Sequence, residues 1–201
     1  AAQSSAPMLL FLNPDTEVSK GALAELLNFM ERNPQYGAAG GRIYDGDGEL
    51  ERSAGIWPTL FSLILDRLLV RWPALRNPLE PLAHHYWDYD EQRDVGWVTG
   101  AYLWVRRDLF ERLEGFDRDI FMYFEDVDLC YRIWEHGGRI CFFPGASIIH
   151  YRNKAPIQDR RRKHMMYHGL HQFASKHYTW RHHGITRLAS QVLNSLNLYR
   201  S

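Results

Sequence analysis

Three carboxylates lie close together in the segment FMYFEDVDLCYR, residues 121–132, and could support acid–base chemistry. Acids in the first turn of a helix gain about 0.3–1 kcal/mol each from its dipole, and Asp128 can pair with Arg132 four residues later. That pairing accounts for Asp128 without any function. The apolar side chains before Glu125 and Asp126 would raise the basicity of a carboxylate. Asp126 could therefore take a proton from a hydroxyl group within hydrogen-bond reach.

A second set of polar residues, Asn13, Asp15 and His150, follows two apolar runs of the chain. A carboxylate just past a buried strand can hold a divalent cation, and a neutral imidazole could be a second ligand. However, Asn13-Pro14-Asp15 also suits a simple turn, and a histidine at a strand end is often only a polar terminus. These residues alone leave both interpretations open.

The apolar pattern predicts an α/β arrangement around these groups. MLLFL, residues 8–12, is typical of a strand buried on both faces of a mostly parallel sheet. In such sheets ligands bind beyond the carboxyl ends of the strands, where Asn13-Pro14-Asp15 lies. A helix should follow, capped by Ser19 and stopped at Asn33-Pro34. Its apolar residues at helical spacing are Leu23, Leu26, Leu27 and Met30.

The later segments continue the alternation of strands and helices. AAGGRIYDGDGELERSAG predicts two strands joined at the Asp-Gly repeats, VGWVTGAYLWVRR predicts one strand, and RICFF and SIIHY predict two more. RDLFERLEGF predicts a short helix, and the acidic segment should begin another. Residues 57–93 give a weak signal, typical of a long loop near the site. The second helix should bury an apolar face formed by Val127, Cys130, Tyr131 and Trp134.

Composition indicates a globular protein without a general affinity for nucleic acid. The 201 residues are 45% hydrophobic and 14% aromatic, which is enough to bury a core. Basic and acidic residues number 24 each, so no net field favours nucleic acid. The two cysteines fit a reducing compartment. No apolar run approaches the roughly 20 residues that span a bilayer.

The two ends of the chain carry different signals. The opening AAQSSAPMLLFLN lacks the pattern of a signal peptide, and we expect part of the domain to precede it. Residues 152–187 are basic, with Asp159 as their one acid. This tail, including Met165, Met166 and Phe173, could rest on an anionic membrane face or pack on the domain as an ordinary helix. A last helix is predicted near residues 186–198.

The order of these motifs closely resembles the second half of family 2 glycosyltransferases. The resemblance covers about residues 5–155, apart from 57–93, and rests on LLFLNPDTEV and on the stretch from GWVTGAYLWVRR to SIIHYRNKA. Asn-Pro-Asp and Phe-Glu-Asp-x-Asp are similar to the rhamnosyltransferase-like subgroup of bacterial cell-surface polysaccharide synthesis. The implied fold is α/β, a partial GT-A (Rossmann-like) mixed sheet flanked by helices. The family's nucleotide-binding first half is missing from these residues.

The resemblance also implies roles for individual residues. Asp126 matches the catalytic base, and Glu125 beside it would contact the acceptor or orient the site. Asp15 matches the ligand of Mg²⁺ or Mn²⁺ on the donor diphosphate, with His150 completing the metal site. Asn13 departs from the family's usual first Asp in this motif. The residues assigned to donor or acceptor binding are Asn13, Trp97, Gly100, Ala101 and Arg152.

The implied protein is an inverting glycosyltransferase with two parts. Residues 1–155 would form the metal and acceptor half of the domain, and residues 156–201 a basic helical segment. The partners would be a nucleoside-diphosphate sugar, with rhamnose as a candidate, and a saccharide or lipid-linked acceptor, in the cytoplasm or on the inner membrane face. A truncated, non-catalytic binding or assembly subunit is the alternative. A hydrolase is disfavoured because the paired acids of glycosidases stand about 5 Å or more apart across the bond.

Overall fold

A computed structural model describes residues 5–59, 72, 87–151 and 156–178 of the chain, with backbone alone for 156–161 and 163. The predicted loop at 57–93, Arg152 and the helix near 186–198 fall largely or wholly outside these residues. The strands are β1 (Met8–Leu12), β2 (Thr16–Val18), β3 (Tyr36–Asp45), β4 (Leu50–Glu51), β5 (Ala54–Gly55), β6 (Arg93–Val95), β7 (Trp97–Val98), β8 (Tyr102–Arg106) and β9 (Arg139–His150). The helices are α1 (Ala22–Arg32), α2 (Arg107–Arg112), α3 (Glu125–Glu135) and α4 (Pro156–His177).

The main sheet is mixed, with the order β1-β8-β3-β9-β2. The central pair β3 and β9 is parallel, whereas β1 and β3 both pair with β8 in the antiparallel sense. β1 therefore differs from the expectation of a strand buried on both faces of a mostly parallel sheet. It lies at one end of the described strand order, and of its five residues only Met8 is buried. The apolar run correctly predicted a strand, but it did not predict the position of that strand in the sheet.

Two predicted strand patterns are resolved differently by the structure. RICFF and SIIHY form one strand, β9, because the chain between Phe142 and Ser147 makes a bulge against β3 and pairing then resumes. A bulge accommodates Pro144, which has no N–H for the ladder. Conversely, VGWVTGAYLWVRR is not one strand. It is divided into β6, β7 and β8, and a side chain at Gly96 would meet the backbone of Trp57 at 2.8 Å.

Helices cover both faces of the sheet, which confirms the predicted α/β fold. Alternate residues of β8 point to opposite faces and both are buried: Tyr102 and Trp104 join the cluster under α1, and Leu103 and Val105 join the cluster under α2 and α3. This explains the continuous apolar sequence of the strand. Cys130 and Cys141 are free and buried, and burial raises the pKa of each thiol to about 12.

Details of the helices depart from the sequence patterns. Gly21, at φ 84°, precedes α1 without a side-chain cap, so Ser19 is not the predicted cap, and its hydroxyl instead accepts from Ser147 Oγ at 2.9 Å. Leu23 and Trp134 are exposed at 39% and 51%, because the buried stripes run through neighbouring positions. The buried residues of the two helices are Ala22, Leu26, Phe29 and Met30 in α1, and Val127, Asp128, Leu129, Cys130 and Ile133 in α3.

Helix α4 packs on the domain through Leu170, Phe173 and Ala174, which are buried. Met166 is 43% exposed, so it is not part of the buried face. None of the helices in the described ranges is long and apolar enough to cross a membrane. The boundary predicted at residue 155 stays a prediction.

Candidate active site

The loop after β1 meets the end of β9. Asp15 Oδ1 lies 3.2 Å from His150 Nε2, and Asn13 Nδ2 lies 3.0 Å from the same ring nitrogen. The backbone fixes this meeting, because Thr16 pairs with His150 across β2 and β9, and Tyr151 N donates to Asp15 O at 2.8 Å. His150 is 4% exposed, whereas 45% of the Asp15 side chain is exposed. The arrangement presents a buried imidazole beside a carboxylate that solvent and ligands can reach.

The pair formed by Asp15 and His150 fits a divalent cation once the Asn13 amide, whose Nδ2 lies 3.0 Å from His150 Nε2, turns its oxygen toward the site and leaves the Nε2 lone pair to the metal. Two ligands at about 2.1 Å from an octahedral ion lie about 3 Å apart, close to the observed 3.2 Å. Glu51 Oε2 lies 3.7 Å from His150 Nδ1, a charge contact that is longer than a hydrogen bond. Within the part of the chain that the structure describes, no three His, Cys, Asp or Glu side chains could hold a metal by themselves. A cation held by Asp15 and His150 would need further ligands, such as water.

Asp126 is held by backbone donors at the start of α3. Its Oδ2 accepts from Gly100 N and its Oδ1 from Val127 N, both at 2.8 Å, and the Thr99 side chain also hydrogen-bonds to it. Burial raises the pKa of Asp126, and these hydrogen bonds oppose the shift. The Asp126 backbone N–H is a further donor to this carboxylate, so a ligand hydroxyl would share or replace one of the four donors to deliver its proton.

Glu125 differs from its neighbour because one of its oxygens has no hydrogen-bond partner among the residues that the structure describes. Oε2 is buried and makes no hydrogen bond within the structure. Burial, and then the charge of Asp126, raises the pKa of Glu125 from 4.5 to about 7. A buried carboxyl oxygen without a partner is costly, so a ligand hydroxyl at this position would remove the cost.

One short loop, residues 99–101, connects the two groups of candidates. Asn13 N donates to Ala101 O at 3.3 Å, one residue beyond the Gly100 N–H that binds Asp126. The loop that carries Asn13 and Asp15 and the start of α3 are thus anchored to consecutive residues, Ala101 and Gly100. A Cβ at Gly100 would be 3.6 Å from Asp126 Cβ, an ordinary contact, so space does not demand glycine there.

The backbone conformation of the two residues before α3 sets the direction in which the helix, with Glu125 and Asp126, begins. Tyr123 and Phe124 both have positive φ, at 61° and 74°, a region that non-glycine residues enter at a cost of about 1–3 kcal/mol. They turn the chain into α3 immediately before Glu125. Asp128 then forms the predicted pair with Arg132 at 2.7 Å and is fully buried.

Trp97 forms its indole hydrogen bond with a residue other than Asp126, Asn13 or His150. It packs, partly buried, against the clusters beneath α3, and its Nε1–H donates to Ile56 O at 2.8 Å. Arg152 is outside the described residues.

Two residues near the site, Thr99 and Glu51, were not predicted from the sequence. Thr99 could have been suspected because it directly precedes Gly100, whereas Glu51 had no signal, since its closeness to His150 depends on pairing across β3.

The chain matches known proteins over most of its length. A family model described as "Glycosyltransferase like family 2" matches residues 2–169. N-acetylglucosaminyl-diphospho-decaprenol L-rhamnosyltransferase of Mycobacterium tuberculosis is 34% identical over 152 residues, 75% of this chain and 49% of that protein. Rhamnosyltransferase WbbL of Escherichia coli K12 is 29% identical over 145 residues, 71% and 52% of the two chains. The chain therefore spans about half the length of these curated relatives.

Solved structures also match. GalNAc-T7, crystallised with UDP, GalNAc and Mn²⁺, aligns with a TM-score of 0.49 and 15% identity, covering 95% of this chain and 38% of that one. The family and relative matches confirm the resemblance that the Asn-Pro-Asp and Phe-Glu-Asp-x-Asp motifs predicted.

Proposed function

We propose, because this chain belongs to the glycosyltransferase-like family 2, that it carries the metal and acceptor side of an inverting glycosyltransferase. The enzyme would move a sugar from a nucleoside-diphosphate sugar to a saccharide or lipid-linked acceptor. Rhamnose is the proposed sugar, because the relatives at 34% and 29% identity are named rhamnosyltransferases. The first of these names includes a lipid diphosphate, which supports a lipid-linked acceptor in cell-surface polysaccharide synthesis.

The observation that carries the proposal is the placement of Asp126. Its carboxylate is fixed by Gly100 and Val127 on a loop that also anchors Asn13. In the proposed transfer the acceptor oxygen bonds to the anomeric carbon while the bond from that carbon to the diphosphate breaks. The hydroxyl proton passes to Asp126. Glu125, with its unpartnered buried oxygen, is proposed to hold the acceptor.

Asp15 and His150 are the residues that would hold Mg²⁺ or Mn²⁺, with Asn13 beside them. When bound, the cation would neutralise charge on the departing diphosphate. Gly100 and Ala101 are proposed to line the sugar and acceptor pocket, and Trp97 and Arg152 remain proposed contacts of donor or acceptor. The cytoplasmic face of the membrane is the proposed location, because the basic segment 152–187 suits anionic lipid.

The test is release of nucleoside diphosphate from a panel of nucleoside-diphosphate sugars, with Mn²⁺ and with saccharide or lipid-linked acceptors. We expect release that depends on acceptor and is greatest with a rhamnose donor. Product analysis should show the opposite anomeric configuration from the donor, and retention would overturn the inverting mechanism. Binding of donor and acceptor without any transfer would instead favour the non-catalytic binding subunit.

A further inference from the structure

We propose that helix α4 is a positioning element for the catalytic acids, with Gly169 and His177 as its positioning residues. This proposal rests on the proposed function, because it gives α4 a role in positioning the acids of the same site. Several residues of α4 contact the segment 117–128. This segment contains Glu125 and Asp126 and the turn that precedes them.

Gly169 makes the closest of these contacts. A Cβ at this position would lie 2.1 Å from Tyr123 O and 3.1 Å from the Tyr123 carbonyl carbon. Backbone atoms cannot yield as the end of a flexible side chain can, so even an alanine would push the two segments apart. Tyr123 is the first of the two residues with positive φ that immediately precede α3. The helix therefore supports the strained turn from directly behind its first peptide.

Phe173 continues the support one turn later. It is fully buried in a cluster with Ile120 and Val127, and its ring lies 6.1 Å from the ring of Phe124, measured between centroids. Ile120 precedes the turn, Phe124 is its second residue and Val127 is in the first turn of α3. The side chain of one α4 residue thus packs against the turn on both sides.

His177 and Lys176 anchor the end of α4 to the same region. His177 Nε2–H donates to Asp128 Oδ1 at 2.6 Å, and Arg132 occupies the other oxygen at 2.7 Å. Lys176 Nζ lies 2.5 Å from Asp117 and 2.9 Å from Asp119. Asp128 is two residues beyond Asp126, so its bond to His177 ties the first turn of α3 to α4.

These contacts matter for chemistry because the conformation they support is costly. Two consecutive residues with positive φ persist only where surrounding packing over-determines them. Displacing a catalytic group by about 1 Å can reduce a rate on the order of a hundredfold. Contacts of α4 with the turn would therefore set the position of Asp126 without touching substrate.

Gly169→Ala gives the first test, and Ser175→Ala is its control. Ser175 is exposed on the same helix, and among the described residues its hydroxyl bonds only to Gln172 O, within α4. Alanine favours a helix over glycine, so if α4 were an independent helix, Gly169→Ala would stabilise the protein. We expect it instead to loosen the start of α3. Hydrogen exchange at the Asp128 amide, which bonds to Phe124 O at 2.8 Å, should accelerate on the order of tenfold.

Exchange in β3 and β9 should stay at the parental rate, as it should throughout Ser175→Ala. In an active preparation the kcat of Gly169→Ala should fall on the order of tenfold or more with the KM for donor unchanged. Parental exchange at Asp128 would overturn the proposal. So would uniform acceleration in every strand, because the effect would then be general stability.

The His177 variants keep the proposal falsifiable if Gly169→Ala does not fold. His177→Ala should accelerate exchange at Asp128, and His177→Gln, whose amide N–H can also donate to Asp128 Oδ1, should restore it. Equal behaviour of the two variants would contradict the proposed bond. Because exchange needs no substrate, these results stand apart from the glycosyltransferase assay: positioning can be confirmed when transfer fails, and refuted when transfer succeeds.

Discussion

Asp126 accepts a hydrogen bond from the backbone N–H of Gly100 at 2.8 Å, across 26 residues of sequence. The carbonyl oxygen of the next residue, Ala101, accepts from Asn13 N. Through these two hydrogen bonds, helix α3 and the loop that carries Asn13 and Asp15 are both held by residues 100 and 101. The geometry of proton removal and that of diphosphate binding therefore depend on the same three-residue segment, 99–101.

Asp126→Asn should abolish most transfer. Its NH2 would replace an oxygen that accepts from Gly100 N or Val127 N, so circular dichroism should first show that the variant is folded. The amide keeps the shape of the carboxylate but cannot take a proton, and general-base catalysis is worth about 10²–10⁴-fold. The kcat of acceptor-dependent transfer should fall by that factor with donor KM nearly unchanged. Asp108→Asn, in an exposed pair with Arg112 on α2, is the control and should retain full activity, because such pairs contribute little. Parental kcat in Asp126→Asn would remove the base assignment.

Metal removal should stop transfer, and His150 should set the affinity for the added ion. We expect a chelator to abolish activity and Mn²⁺ or Mg²⁺ to restore it. His150→Ala should raise the metal concentration for half-maximal activity by about 10-fold or more. Paramagnetic resonance of Mn²⁺ with nucleoside diphosphate gives an independent measure of binding. His164→Ala, an exposed histidine on α4, should behave as the parent, and undiminished transfer in excess chelator would exclude a required cation.

The residues of the site were easier to predict than their supports. Asp15, His150 and Asp126 could be selected because their types and order match a family pattern, and the pair of Asp128 with Arg132 follows from helical spacing alone. The proximity of Glu51 to His150 and the bond of His177 to Asp128 could not be predicted, because each joins residues brought together only by sheet register or helix docking.

The strands show the same limit. Buried apolar runs predicted β1, β8 and β9, but a run of apolar letters does not report direction or position in a sheet. β1 therefore proved antiparallel to β8. RICFF and SIIHY were separated in prediction because Pro144-Gly145 usually ends a strand, whereas the structure absorbs them in a bulge.

Glu125 should make stability fall as pH rises between about 4.5 and 7. Its pKa is raised from 4.5 to about 7 in the fold, mainly by burial and then by Asp126. In this window the folded protein binds more protons than the unfolded chain, so stability decreases with rising pH. Glu125→Gln removes the titration. Its Tm advantage over the parent should be absent below about pH 4.5 and grow until about pH 7.

Thermal unfolding of both proteins across pH checks this prediction, with Glu31→Gln as the control, since Glu31 is exposed on α1. A difference between Glu125→Gln and the parent that does not change with pH would contradict the assignment. Stability is measured without substrate, so the outcome does not depend on the proposed reaction.

Gly41→Ala should destabilise the protein by about 1–3 kcal/mol. A Cβ there would lie 2.3 Å from Ala146 O and 2.9 Å from Tyr102 Cε1, where β3 passes the bulge of β9. A backbone carbonyl can move only if the bulge itself moves, and the bulge precedes the stretch of β9 that ends at His150. Gly46→Ala is the matched control, because its nearest neighbour is the exposed Tyr151 ring at 3.1 Å. Denaturant unfolding should show a lower midpoint for Gly41→Ala than for Gly46→Ala, and equal midpoints would mean that the bulge is free to adjust.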